Sequence, residues 1–178
     1  MAHRLYVDMA TQGEALTNIR ELLTRLAPPK EQVLNAVRGA VYPGRIMQFV
    51  VIQFEEGMRG DVQVDDVQYE HMMPQTGTDY WFGKAQTSDP NQYSRIVNNI
   101  GNIVPLDAGV NNEVKNKDWS IKRQFYQEKL PNWLAAAIAR ENPDDWTPTK
   151  ISARAEKIAK WAVDERWNLE KALNQLAP

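Results

Sequence analysis

The chain of 178 residues contains no cysteine, which excludes disulfide frameworks, thiolate zinc sites and cysteine nucleophiles. Any metal must therefore sit on oxygen and nitrogen ligands. Histidine is nearly as scarce: of the two, His3 lies in an unpatterned stretch, which leaves His71 as the imidazole with a defined context. Charge of one sign is lacking too. Twenty-one Lys and Arg against 23 Asp and Glu leave a formal net charge of −2, without the positive field of a self-sufficient nucleic-acid binder. A nucleic-acid role would need local charge or a second module. The longest apolar run, residues 46–54, is broken by Gln48 and Gln53 and falls far short of the roughly 20 residues that cross a bilayer. No membrane span is expected. The first residues show neither an apolar stretch of signal-peptide length nor a small-residue cleavage pattern, so cytoplasmic residence is the expectation.

What remains is an ordinary globular composition, with 43% hydrophobic and 25% charged residues, enough to bury a substantial core in one domain or a small pair. Ala15, Leu16, Ile19, Leu22, Leu23 and Leu26 fall at helical spacing, and Pro28-Pro29 ends that helix. Val33, Leu34 and Val37 continue in a shorter helix that stops at Gly39. Residues 46–56 are apolar almost all round and read as a buried helix, with a buried strand as the rival. After Gly60 the texture changes. Val62 and Val64 alternate with polar residues in a strand that runs to His71 and stops at Met72-Met73-Pro74. Residues 75–92, rich in Gly, Thr, Ser, Asp, Asn and Pro, read as an irregular loop anchored by Tyr80, Trp81 and Phe82. A second strand is expected at 100–106, a helix at 111–129, and further helices from 131 onward, one of them starting at Thr147-Pro148.

His71 follows Glu70 directly, at a strand end. Alone, such a pair is most often a surface histidine with an incidental acidic neighbour. Thirty-one residues later stands Asn102, and nine further on Asn111-Asn112. Any one of these asparagines reads first as a turn or cap residue. Together they put one amide near a second strand and another at the start of a helix, where a carbonyl oxygen can face a divalent cation.

The run 69–75 (Tyr-Glu-His-Met-Met-Pro-Gln), then Ile100-Gly101-Asn102-Ile103, then Asn111 and Asn116-Lys117 through Tyr126, resembles the HNH nuclease module at the C-terminus of GmrSD-type restriction enzymes. Those are modification-dependent or phage-defence proteins whose other module is a ParB-like NTPase. The Ile151…Arg154…Ala159…Trp167 spacing resembles that family's closing helix, and the helical first 60 residues its preceding bundle. The resemblance implies an α+β, mostly helical fold with a ββα-metal (HNH, His-Me finger) core at 61–130. Flanking helices would occupy 1–60 and 131–178. It further implies a metal-dependent DNA endonuclease of a restriction or anti-phage system, nicking or cutting both strands.

In that scheme His71 is the general base, since a neutral imidazole with a reference pKa near 6.5 can take a proton from water. Glu70 and Asn111, with Asn112 in reserve, would hold Mg²⁺ or Mn²⁺, a hard cation that keeps most of its waters. Asn102 would brace the loop and orient His71. Asn116, Lys117, Lys122 and Arg123 would meet phosphate; residues 91–129 hold six basic and four acidic side chains. Of the six tryptophans, Trp81 and Trp119 are the two expected to have some chance of touching nucleic acid. Pro105 interrupts an apolar strand and is expected to shorten it. No phosphate-cradling glycine loop of the GxxxxGKS kind occurs, so an NTPase sensor module is expected on another segment or subunit. A homodimer is one arrangement that would cut both strands. The alternative is a non-catalytic DNA-binding or protein-interaction domain that retains the HNH fold.

Overall fold

The computed structural model describes residues 2–59, 67–107 and 114–175. Three helices come first: α1 (Ala2–Leu26), α2 (Lys30–Arg38) and α3 (Arg45–Arg59). Between α1 and α2 lies Pro28-Pro29, whose second proline occupies the N-cap of α2. The rivalry at 46–56 resolves as helix, with Met47, Val50, Val51 and Phe54 turned inward at helical spacing. Strand β1 (Val67–His71) pairs antiparallel with β2 (Ile103–Asp107), with His71 opposite Ile103. Residues 62–66, expected to begin the first strand, lie outside the described residues.

The expected loop at 75–92 is largely helical: α4 (Asp79–Ala85) and α5 (Pro90–Val97) fill the crossover between the strands. Local chemistry explains both. Thr78 caps α4, its hydroxyl accepting from the Trp81 N–H; Asp89 caps α5, accepting from the Asn91 N–H at 2.9 Å, with Pro90 in the first turn. Pro105 does not end β2. It pairs opposite Tyr69 in a sheet of two strands, where both strands are edges and a missing N–H can face away from the partner. Helix α6 (Trp119–Lys129) begins after Asp118, and α7 (Leu134–Glu141), α8 (Pro148–Trp161) and α9 (Leu169–Gln175) complete the chain. The class is α+β and mostly helical, as expected.

The strand β2 divides two apolar clusters by its own alternation. Ile103 points to Val37, Val50, Val51 and Phe54 from α2 and α3 and to Ala155, Ile158 and Ala159 from α8. Val104 and Leu106 point to Trp81, Trp119, Tyr126 and Trp146. Each such fully buried apolar side chain stabilises by roughly 1.5–3 kcal/mol. Among the described residues the stripe Leu16, Ile19, Leu22, Leu23 and Leu26 on α1 stays exposed.

Helix α8 grips the turn that precedes β2 (Ile100–Asn102). The buried Arg154 guanidinium donates to the carbonyls of Gly101 and Ile103 at 2.9 and 2.8 Å, with Ile100 O at 3.3 Å. Burial pushes that guanidinium down to about 10, so it is still a cation at neutral pH. Gly101 is where the backbones nearly touch: a Cβ there would run into the Ile151 carbonyl oxygen of α8. Gly101→Ala is therefore expected to force the helix away and destabilise the chain by about 1–3 kcal/mol, read as a lower urea midpoint at unchanged slope. An unchanged midpoint would mean that the approach is loose.

Candidate active site

Strand β1 delivers Glu70 and His71 to its own end, and the chain must leave the ladder there because Pro74 follows two buried methionines. Asn102 fixes that exit. Its backbone carbonyl accepts from the Met72 N–H at 3.0 Å, and its side chain accepts from the Met73 N–H at 2.8 Å while donating to the Met73 carbonyl at 2.7 Å. The same amide donates to the Val97 carbonyl and accepts from the Trp146 indole, so all four of its polar valences are used inside the core. Asn102 therefore touches neither the His71 ring nor the cleft. It positions the segment that carries the ring.

Glu70 and His71 line an open cleft of about 280 Å³ together with Gln75, Thr76, Lys115 and Asn116. The His71 ring sits edge-on to Tyr42, with centroids 4.8 Å apart, and its Nε2 lies 3.2 Å from Asn98 Oδ1. Asn98 Oδ1 also accepts from Gln75 Nε2 at 2.9 Å, and its Nδ2 donates to Ser94 Oγ at 3.1 Å. In this orientation Oδ1 accepts from the ring, which puts the His71 proton on Nε2 and leaves Nδ1 with its lone pair. Asn98 is the residue that sequence reasoning missed. Nothing in the local sequence says which ring it will meet.

Burial pushes the His71 imidazole down to about 4, the Lys122 cation adds to this, and the Asn98 contact offsets part of it. The folded ring is neutral near pH 7. Acid therefore protonates the unfolded chain first: the stability carried by this group is whole above about pH 6.5 and is lost as pH falls toward 4. The expected loss from pH 7 to 4.5 is about 2 kcal/mol in urea unfolding, and His71→Gln should flatten that part of the slope. Identical slopes in both proteins would contradict the shift.

Behind the cleft, the Glu70 carboxylate is tied down. Oε1 accepts from Lys122 Nζ at 2.5 Å and from the Tyr126 hydroxyl at 2.7 Å, and Lys122 Nζ also donates to the His71 carbonyl at 2.8 Å. Lys122 is fully buried, so the expectation that it meets phosphate is corrected: Trp119, Lys122 and Tyr126 form the inward stripe of α6, and the ammonium donates to two acceptors on β1. Trp81 and Trp119 are corrected in the same way. Both indoles are fully buried and donate to backbone carbonyls, of Lys117 and Asn142. Asn116 lies at the cleft and Lys117 is exposed, whereas Arg123 is half-buried. Lys115, not singled out from sequence, also lines the cleft.

Asn111 and Asn112 lie outside the described residues. Among the described residues no three His, Cys, Asp or Glu converge as a metal site. Glu70 Oε2, however, has no hydrogen-bond partner among them, and its residue lines the cleft beside His71. A single carboxylate oxygen with neighbouring amides suits a hard divalent cation that keeps several waters, and not an ion that needs a full protein cage.

Residues 38–161 match the family model described as GmrSD restriction endonucleases, C-terminal domain. Comparisons with curated proteins and with solved structures give no match.

Proposed function

Because the chain belongs to the family of GmrSD restriction endonuclease C-terminal domains, we propose that it is an HNH-type, metal-dependent DNA endonuclease domain of a bacterial restriction or anti-phage system, with His71 as general base. The observation that carries this reading is the cleft itself. A neutral imidazole whose Nε2 meets Asn98 stands there beside a carboxylate whose Oε2 is free of protein partners among the described residues. The order β1, β2, α6, with α6 reaching back to Glu70 through Lys122 and Tyr126, supports a ββα-metal core.

Phosphodiester hydrolysis needs water deprotonated in line with the leaving oxygen. His71 Nδ1 takes that proton, and Asn98 Oδ1 keeps the ring turned by holding Nε2–H. An approaching phosphate anion favours the imidazolium, which lifts the base from its low value toward the working range. Glu70, with Asn111 as second ligand, would hold Mg²⁺ or Mn²⁺, which would stabilise negative charge on the leaving oxygen. Lys115, Asn116 and Lys117 would receive the backbone phosphates. With a net charge of −2 and Lys122 withdrawn into the core, target choice falls to another module, for which an NTPase-type sensor is our expectation.

The test is conversion of supercoiled plasmid to open circle in Mg²⁺ or Mn²⁺, stopped by EDTA. DNA retention that EDTA leaves unchanged, with no cleavage in either metal, would overturn the nuclease reading in favour of a non-catalytic DNA-binding domain.

A further inference from the structure

A lysine with no exposed surface is rare, because its ammonium must find partners for every hydrogen away from water. Lys122 Nζ has Glu70 Oε1 at 2.5 Å and the His71 carbonyl at 2.8 Å, which are the side chain of one cleft residue and the backbone of the next. Tyr126, one turn along α6, adds its hydroxyl to the same Glu70 oxygen at 2.7 Å. Both donors converge on Oε1, and neither touches Oε2. A carboxylate with one oxygen held by two donors cannot rotate about its terminal bond without breaking both, so Oε2 is aimed in one direction. The cation also clamps the strand end on which the imidazole sits.

We propose that Lys122 and Tyr126 are positioning residues that present Glu70 Oε2 to a divalent cation in the cleft and hold the His71 backbone in register with it. The inference rests on the nuclease reading above and adds to it a requirement: ion binding at the cleft depends on two residues of α6 that never face the cleft. A plain packing role for α6 makes no such link.

The experiment is Mn²⁺ binding by the full chain, followed by electron paramagnetic resonance of free Mn²⁺, for the parent, Glu70→Gln, Tyr126→Phe and Lys122→Met, with circular dichroism to establish folding. Tyr126→Phe keeps the ring and the packing and removes one bond to Oε1. Loss of a residue that orients a ligand typically weakens metal affinity by about 10-fold or more, and that is the expected result for Tyr126→Phe and Lys122→Met, with Glu70→Gln at least as weak. The metal concentration for half-maximal nicking should rise in parallel, with the KM for DNA unchanged. If Lys122→Met does not fold, Tyr126→Phe decides. Folded variants that bind Mn²⁺ as the parent does overturn the positioning role and leave the nuclease reading standing. A parent that binds no Mn²⁺ at the cleft overturns both.

Discussion

His71→Ala is expected to lower the rate of plasmid cleavage by about 10²–10⁴-fold, the range that a positioned general base contributes. The fold should survive the change. His71 is the last residue of β1, its ladder bonds are made by backbone, and its ring contacts include Tyr42 and Asn98. Far-UV circular dichroism should therefore match the parent. Because truncation leaves space between Tyr42 and Asn98, added imidazole should restore part of the rate. Cleavage by His71→Ala at the parent rate would remove the base from the account, whatever else the cleft does.

Asn102→Leu carries the largest expected effect on stability. The substitution keeps the branching and the number of side-chain heavy atoms but leaves four buried groups without partners: the Met73 N–H and carbonyl, the Val97 carbonyl and the Trp146 indole N–H. Each unsatisfied buried group costs about 1–3 kcal/mol, so the sum reaches about 4 kcal/mol or more, a large part of the 5–15 kcal/mol that holds a domain folded. In a chain of this size that is a drop of at least about 10 °C in the thermal midpoint. Asn102→Asp should also fail, because a carboxylate cannot donate to the Met73 and Val97 carbonyls. A midpoint within about 3 °C of the parent for Asn102→Leu would show that the loop after β1 is held by something else.

The strand end that carries Glu70 and His71 is legible in the sequence from local order, an alternating segment stopped by a proline, whereas the bracing of the loop by Asn102 follows only from the family resemblance. The helices α4 and α5 were legible in principle. Thr78 three residues before Trp81, and Asp89 before Pro90, are helix starts, but short helices carry little apolar periodicity and the polar composition of 75–92 hides them. Lys122 was misread for a reason of the opposite kind. A Lys-Arg pair in a helix looks solvated until one notes that Lys122 shares a face with Trp119 and Tyr126, three residues before it and four after, and both are buried. Even then sequence cannot name Glu70 as its partner, since the ion pair joins residues 52 apart. The Asn98–His71 contact is beyond sequence for the same reason: it exists only because the end of α5 comes to lie beside the end of β1.

Water attack on a phosphodiester beside His71 is tested most directly by the product ends formed in H₂¹⁸O. Cleavage of a defined duplex with Mn²⁺ should place one ¹⁸O in the new 5′-phosphate, leave an unlabelled 3′-hydroxyl, and vanish in His71→Ala and in EDTA. A 3′-phosphate or cyclic phosphate product, or label that appears as readily without the imidazole, would contradict it.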